Sequence, residues 1–252
     1  METLFAAPAR GEALSERYVQ VSQRPWPSLL FILPMLLVFE VGTAWRNHGY
    51  PSPPPQLVAT YLIELLVSLF GRSAFYLPGL LATAILLAAH IVGRHPWRFD
   101  IFVLPAMLGE SLISTLPLFM LDRVLHAAVP ASAAVCDQRV DLLLRGLGAG
   151  IYEELVFRLM LITGLQILLV NVCRLPRNAS MVAGILVSAG LFAAQHHPPL
   201  GAEPFEAVRF LFRTAAGLYL AGLFVFRGFG IACGCHALYN VLVVTVRAIQ
   251  GL

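Results

Sequence analysis

The chain contains no lysine: all seventeen of its basic residues are arginine, set against fourteen acidic ones. These arginines are spread along 252 residues without forming a basic tract, so the continuous cationic surface that a nucleic-acid partner needs is missing. An arginine-only basic set reads as the coding bias of a GC-rich bacterial genome. Charge of either sign is scarce, at 12% of residues, about half of what a soluble domain carries. Cysteine is scarce too. Cys136, Cys173, Cys233 and Cys235 match neither a zinc motif nor a disulfide framework, which leaves them as small packing residues. There is no HExxH motif and no internal repeat. What the chain has in excess is apolar surface, with 58% hydrophobic residues and a mean hydropathy of +0.78. This composition defines a polytopic membrane protein, all-α, built as a single membrane domain.

Apolar runs separated by loop signals give about eight transmembrane helices, or seven if one short run does not cross. A polar tail, residues 1–27, precedes the first run, Ser28 to Trp45. That run is too long for a signal-peptide core and is read as a retained span. Four prolines between residues 51 and 55 enforce an extended loop before the short run, Gln56 to Phe70. The further spans are Ala74 to Val92, Ile101 to Leu121, a helix entered through Gly146, Gly148 and Gly150 and ending near Cys173, then Ser180 to His196, Ala207 to Phe226, and Ile231 to Ile249. Residues 28–139 thus form an N-terminal set of helices, and residues 140–252 a second bundle. The glycines before the fifth long run let another backbone come close or let the helix start irregularly near a cavity. Gly184 with Ser188, and Gly217 with Ala221, are spaced as small contact faces. Arg227-Gly-Phe-Gly230 reads as a tight turn. With eight spans, ten loop and terminal arginines fall on the side of the two termini and six on the other, which places both ends in the cytoplasm.

Ionisable groups at membrane depth are costly and mark function by default. The segment from Ile151 to Val170 places Glu153, Glu154 and Arg158 inside an otherwise apolar helix. At about 100° per residue, Glu154 and Arg158 lie on nearly one face and pair, while Glu153 points elsewhere. Two later helices carry paired residues four apart on one face, Phe192 with His196 and His236 with Asn240. Three neighbouring helices in a compact bundle can therefore aim Glu153, His196, His236 and Asn240 at one point. The chemistry of that point is open between two forms. A carboxylate and an imidazole together take a proton from water. Alternatively, imidazoles and a carboxylate ligate zinc with an open fourth position. An Asn amide or a protonated His stabilises an oxyanion in either form. His197, beside the proline stop, faces away. Glu40, Glu64 and Glu110 sit in or beside apolar runs, where they line a cavity or find local partners.

The ordered set Glu153-Glu154-x-x-x-Arg158, Phe192-x-x-x-His196 and His236-x-x-x-Asn240 resembles the three-motif signature of the CPBP intramembrane proteases, which include the type II CAAX prenyl endopeptidases and the bacterial Abi proteins. The resemblance spans roughly residues 140–249. It implies an endopeptidase acting on a membrane-associated protein or peptide substrate at or within the lipid bilayer. In that reading Glu153 and His196 activate water, His236 and Asn240 hold the oxyanion, Glu154 and Arg158 brace the helix, and Phe192 packs beside the site. Family members are classed as metalloproteases, which implies a divalent metal such as zinc on Glu153, His196 and His236, and no organic cofactor. Substrates consistent with the family are CAAX-type C-termini, C-terminal sorting tails and leader peptides. Two other classes compete: a membrane scaffold that keeps the motif for stability, and a proton- or metal-coupled transporter. Against the transporter stands the lack of repeat symmetry.

Overall fold

A computed structural model of the chain describes residues 14–49, 77–126, 139–201 and 203–250. Among the described residues there are eight helices and no strand. They are α1 (Leu14–Ser22), α2 (Pro25–Gly49), α3 (Leu77–Val92), α4 (Val103–His126), α5 (Arg139–Val172), α6 (Arg177–Ala194), α7 (Ala207–Arg227) and α8 (Phe229–Ile249). Six of them, α2 and α4 to α8, are long and apolar enough to cross a membrane. The sixteen-residue α3 is apolar but shorter. The predicted short span 56–70, the start of the predicted span at Ala74, Glu64 and Cys136 lie outside the described residues. The expected all-helical, polytopic membrane architecture is what the described residues form.

α8 is the axis of the bundle. Half of its apolar window is buried, against a third or less for every other long helix. One face joins Phe229 and Cys233 to a core with Leu29, Ile32 and Leu36 of α2, Leu86 of α3, and Ile151, Tyr152 and Leu155 of α5. Another joins Cys235 and Tyr239 to Leu118 of α4 and Leu220 of α7. In lipid, apolar burial does not drive one helix onto another, so close packing and hydrogen bonds must hold the bundle. Small residues make that packing possible. A Cβ on Gly150 would stand 2.6 Å from the backbone N and Cα of Ala237, so α5 and α8 meet backbone to backbone. A Cβ on Gly148 would fall 2.3 Å from the Phe39 ring, and one on Gly146 would fall 2.9 Å from Asn240 Cβ. Of the two roles open to these glycines, close approach is the one realised. The buried thiols of Cys233 and Cys235 fill space in the same way, and Cys235 Sγ reaches the Ser114 carbonyl at 3.2 Å.

The turn between α7 and α8 consists of Gly228 alone, with φ +86°, a backbone region glycine enters at little cost. The acids outside the motifs find partners. Glu110 accepts hydrogen bonds from Arg227 at 2.5 and 2.7 Å and from Tyr18 at 2.7 Å, which ties α1 and the α7 end to α4. Glu40 accepts a hydrogen bond from Tyr152. Both are thus paired groups and not bare cavity walls.

Gly150→Ala tests the backbone contact. Crowding Ala237 is expected to cost about 1–3 kcal/mol and to lower the melting temperature of the detergent-solubilised protein. Gly164→Ala, where an added Cβ meets nothing within 4 Å, is the control and should leave melting unchanged.

Candidate active site

The site is built by α5, α6 and α8. α5 runs as an α-helix through Arg139–Glu154, then widens into a π-helical stretch, Leu155–Ile162, and again at Leu168–Val172. π turns recur at functional sites because they displace side chains from the regular 3.6-residue period. Here the change of period begins directly after the two carboxylates. Ser188 of α6 donates a 2.8 Å hydrogen bond to the Phe157 carbonyl within the widened turn, and Ile162 packs over Gly184. The predicted small face of α6 therefore docks on the irregular part of α5.

Glu154 and Arg158 are both fully buried, with Arg158 Nη1 3.2 Å from Glu154 Oε1. Arg158 Nη2 also donates to the Gly217 carbonyl of α7 at 3.4 Å, and its guanidinium lies 4.2 Å from the centre of the Phe192 ring. The same Glu154 Oε1 is 2.8 Å from Nδ1 of His236. Because that oxygen already faces a cation, the imidazole donates its Nδ1 proton to it. Sequence reasoning assigned Glu154 to Arg158 alone; the structure shares it between α5 and α8. Pairing matters at this depth, since a buried ion left without a partner is strongly destabilising.

Glu153 points away from this pair, as the helical geometry predicts. Its Oε1 lies 3.8 Å from Nε2 of His196, and its Oε2 lies 3.8 Å from Nε2 of His236. The Glu153 and His236 side chains are 6% and 8% exposed and His196 is 21% exposed, so the site is closed on the α8 side and reached past His196. His196 stands beyond the last residue of α6, and its Nδ1 is 3.0 Å from the Phe192 carbonyl. A carbonyl only accepts, so Nδ1 carries a proton and Nε2 turns toward Glu153. Burial, aided by the positive charge of Arg213, holds the His196 imidazole below its usual pKa despite the pull of Glu153. His196 is therefore held toward the neutral form, with an unprotonated Nε2. The Phe192 ring meets both imidazoles edge to face, with centroids at 5.6 and 5.8 Å.

Asn240 lies one turn beyond His236 and donates from Nδ2 to the Gly146 carbonyl at 3.1 Å. It therefore ties α8 to α5 at the edge of the site, and one of its amide protons is committed there. His197 is buried with Nδ1 on the Glu203 carbonyl at 3.1 Å, away from the carboxylates. The donor set of one carboxylate and two imidazoles has the chemistry of a zinc site. Its separations of 3.8 Å exceed the roughly 3.3–3.4 Å between ligands of one four-coordinate zinc. Among the described residues, no three His, Cys, Asp or Glu side chains are grouped to hold a metal ion.

Residues 137–242 match a protein family described as Rce1-like, type II CAAX prenyl endopeptidase. The matched segment contains Glu153, Glu154, Arg158, Phe192, His196, His236 and Asn240. The match covers less than half of the chain, and it is the part of this helical membrane bundle that is similar to the type II CAAX prenyl endopeptidases. No curated protein and no solved structure matches the chain.

One residue close to the site escaped sequence reasoning: Glu203, whose backbone N–H and carbonyl meet His196 and His197. Ser188, expected only as a small contact residue, also bonds the π turn through its hydroxyl. The Glu154 account is tested by Arg158→Ala. Removing the cation leaves a buried carboxylate with only His236 against it, at a cost of about 3–5 kcal/mol. The variant should show a large fall in melting temperature or fail to accumulate in membranes.

Proposed function

We propose that the chain is an intramembrane endopeptidase that hydrolyses a peptide bond in a membrane-associated protein or peptide, using water activated by Glu153 and His196. The observation that carries this reading is the facing of both imidazole Nε2 atoms onto the two oxygens of one carboxylate, at 3.8 Å each. A water molecule between Glu153 Oε1 and His196 Nε2 meets two acceptors and no donor, so both of its protons are drawn away from its oxygen. That oxygen attacks the scissile carbonyl carbon, and the abstracted proton is held on the Glu153–His196 pair. The resulting oxyanion needs donors. His236 turns its Nε2 toward the site, and an N–H at that atom would be one donor. The second amide proton of Asn240 is the other candidate. Collapse of the tetrahedral intermediate breaks the C–N bond, and the stored proton passes to the leaving nitrogen. No side-chain nucleophile and no covalent intermediate are required.

Glu154 and Arg158 act by holding His236 and α5 in place. A divalent metal on Glu153, His196 and His236 would supply Lewis-acid polarisation of the water. The 3.8 Å separations support a mechanism carried by the side chains themselves. C-terminal membrane tails suit the family description best. The arginine excess supports an orientation with both termini in the cytoplasm, here taken as that of a bacterial cell with the chain in its inner membrane.

Quantitative membrane peptidomics on cells expressing the parent chain or Glu153→Ala at equal levels tests the activity. One or a few membrane proteins should accumulate in a longer form in the variant. Unchanged termini throughout, with a phenotype still caused by gene deletion, would replace catalysis with a scaffold role. Treatment of the purified enzyme with a strong zinc chelator tests the metal. Cleavage should persist. Loss that added zinc restores would instead make Glu153, His196 and His236 its ligands.

A further inference from the structure

His196 stands two residues beyond the end of α6 at Ala194, and Pro198 and Pro199 follow after His197. Its ring is tied back to the Phe192 carbonyl of α6, while its backbone is met by two later residues. The backbone N–H of Glu203 donates to the His196 carbonyl at 3.1 Å, and the Glu203 carbonyl accepts from the neighbouring His197 at 3.1 Å. Gly201 lies so close that a Cβ there would stand 2.2 Å from the His196 carbonyl. Glu203 is in turn fixed by its side chain: Arg213 Nη2 donates to both carboxylate oxygens at 2.9 Å, with Arg209 a further 3.7 Å contact. Arg213 is one turn before Gly217, where α7 packs directly on Ala189 and Phe192 of α6. The chain of contacts runs from the α6–α7 packing through Arg213 and Glu203 to the backbone of His196.

We propose that Glu203 and Arg213 form a positioning pair that sets the distance between His196 Nε2 and Glu153. The proposal rests on the protease reading above. The two side chains are 43% and 18% exposed, and ion pairs in such settings contribute little to global stability. Geometry at a reacting centre is far less forgiving, since a misplacement of about 1 Å can cost 100-fold in rate. Cutting the tie should therefore slow turnover without unfolding the protein. The segment is an ordinary surface loop in sequence, so only the structure connects it to the site.

The test uses the full chain co-reconstituted in liposomes with the membrane protein whose processing depends most strongly on Glu153. Glu203→Gln and Arg213→Gln should each lower kcat by roughly 10–100-fold, with KM and melting temperature nearly unchanged. The double variant should be no slower than the slower single one, because both break the same tie. Parent-like kcat in the single variants would overturn the proposal. So would rates that fall only in step with melting temperature, or effects that multiply in the double variant. Should no membrane protein show Glu153-dependent processing, the protease reading fails first, and the positioning role falls with it.

Discussion

The structure depends on a buried charge cluster on α5. Glu154 has no access to water, and its Oε1 is held by Arg158 from its own helix and by His236 from α8. A carboxylate in this setting persists only while its partners are in place. Those partners are themselves built in. Arg158 reaches the Gly217 carbonyl of α7 and stacks on Phe192 of α6. Four helices are thereby tied to one ionic centre. Because lipid gives little apolar drive for helix association, such polar ties and the glycine contacts at Gly150 and Gly217 set the register of the bundle.

From that constraint follows the freedom of the adjacent carboxylate. Two consecutive residues on a helix point about 100° apart. Fixing Glu154 toward Arg158 and His236 turns Glu153 to a different direction, between His196 and the far nitrogen of His236. One imidazole therefore faces both carboxylates, Glu154 through Nδ1 and Glu153 through Nε2. The second, His196, has its Nδ1 on a backbone carbonyl and so presents Nε2. The different surroundings of the two neighbouring acids are a consequence of helix geometry, with no separate device needed to keep them apart.

Much of this was legible in the residues. Helical spacing pairs Glu154 with Arg158, the glycines at 146, 148 and 150 leave room for another backbone without saying which, and Arg227-Gly-Phe-Gly230 marks a turn that the structure confines to Gly228. The convergence of Glu153, His196 and His236 followed from three motifs on neighbouring helices, and the family comparison covers the same segment. Other features were not legible for physical reasons. The π stretches of α5 carry the same apolar residues as an α-helix would, so periodicity does not betray them. Glu110 meets Arg227 across 117 positions, a pairing no local pattern encodes. The sharing of Glu154 by His236 depends on how far α8 sinks between its neighbours. Glu203 and Arg213 bear on His196 through a backbone contact, and backbone contacts leave no trace in residue identity.

In the proposed mechanism Glu153 performs the chemistry while Glu154 holds the structure. Glu153→Gln and Glu154→Gln, measured side by side for melting temperature and for processing of a Glu153-dependent substrate, test it most directly. The account predicts that Glu153→Gln keeps parent-like stability and loses processing by at least about 100-fold, whereas Glu154→Gln loses stability and processing together. Parent-like processing in Glu153→Gln, or equal stability in the two variants, would contradict it.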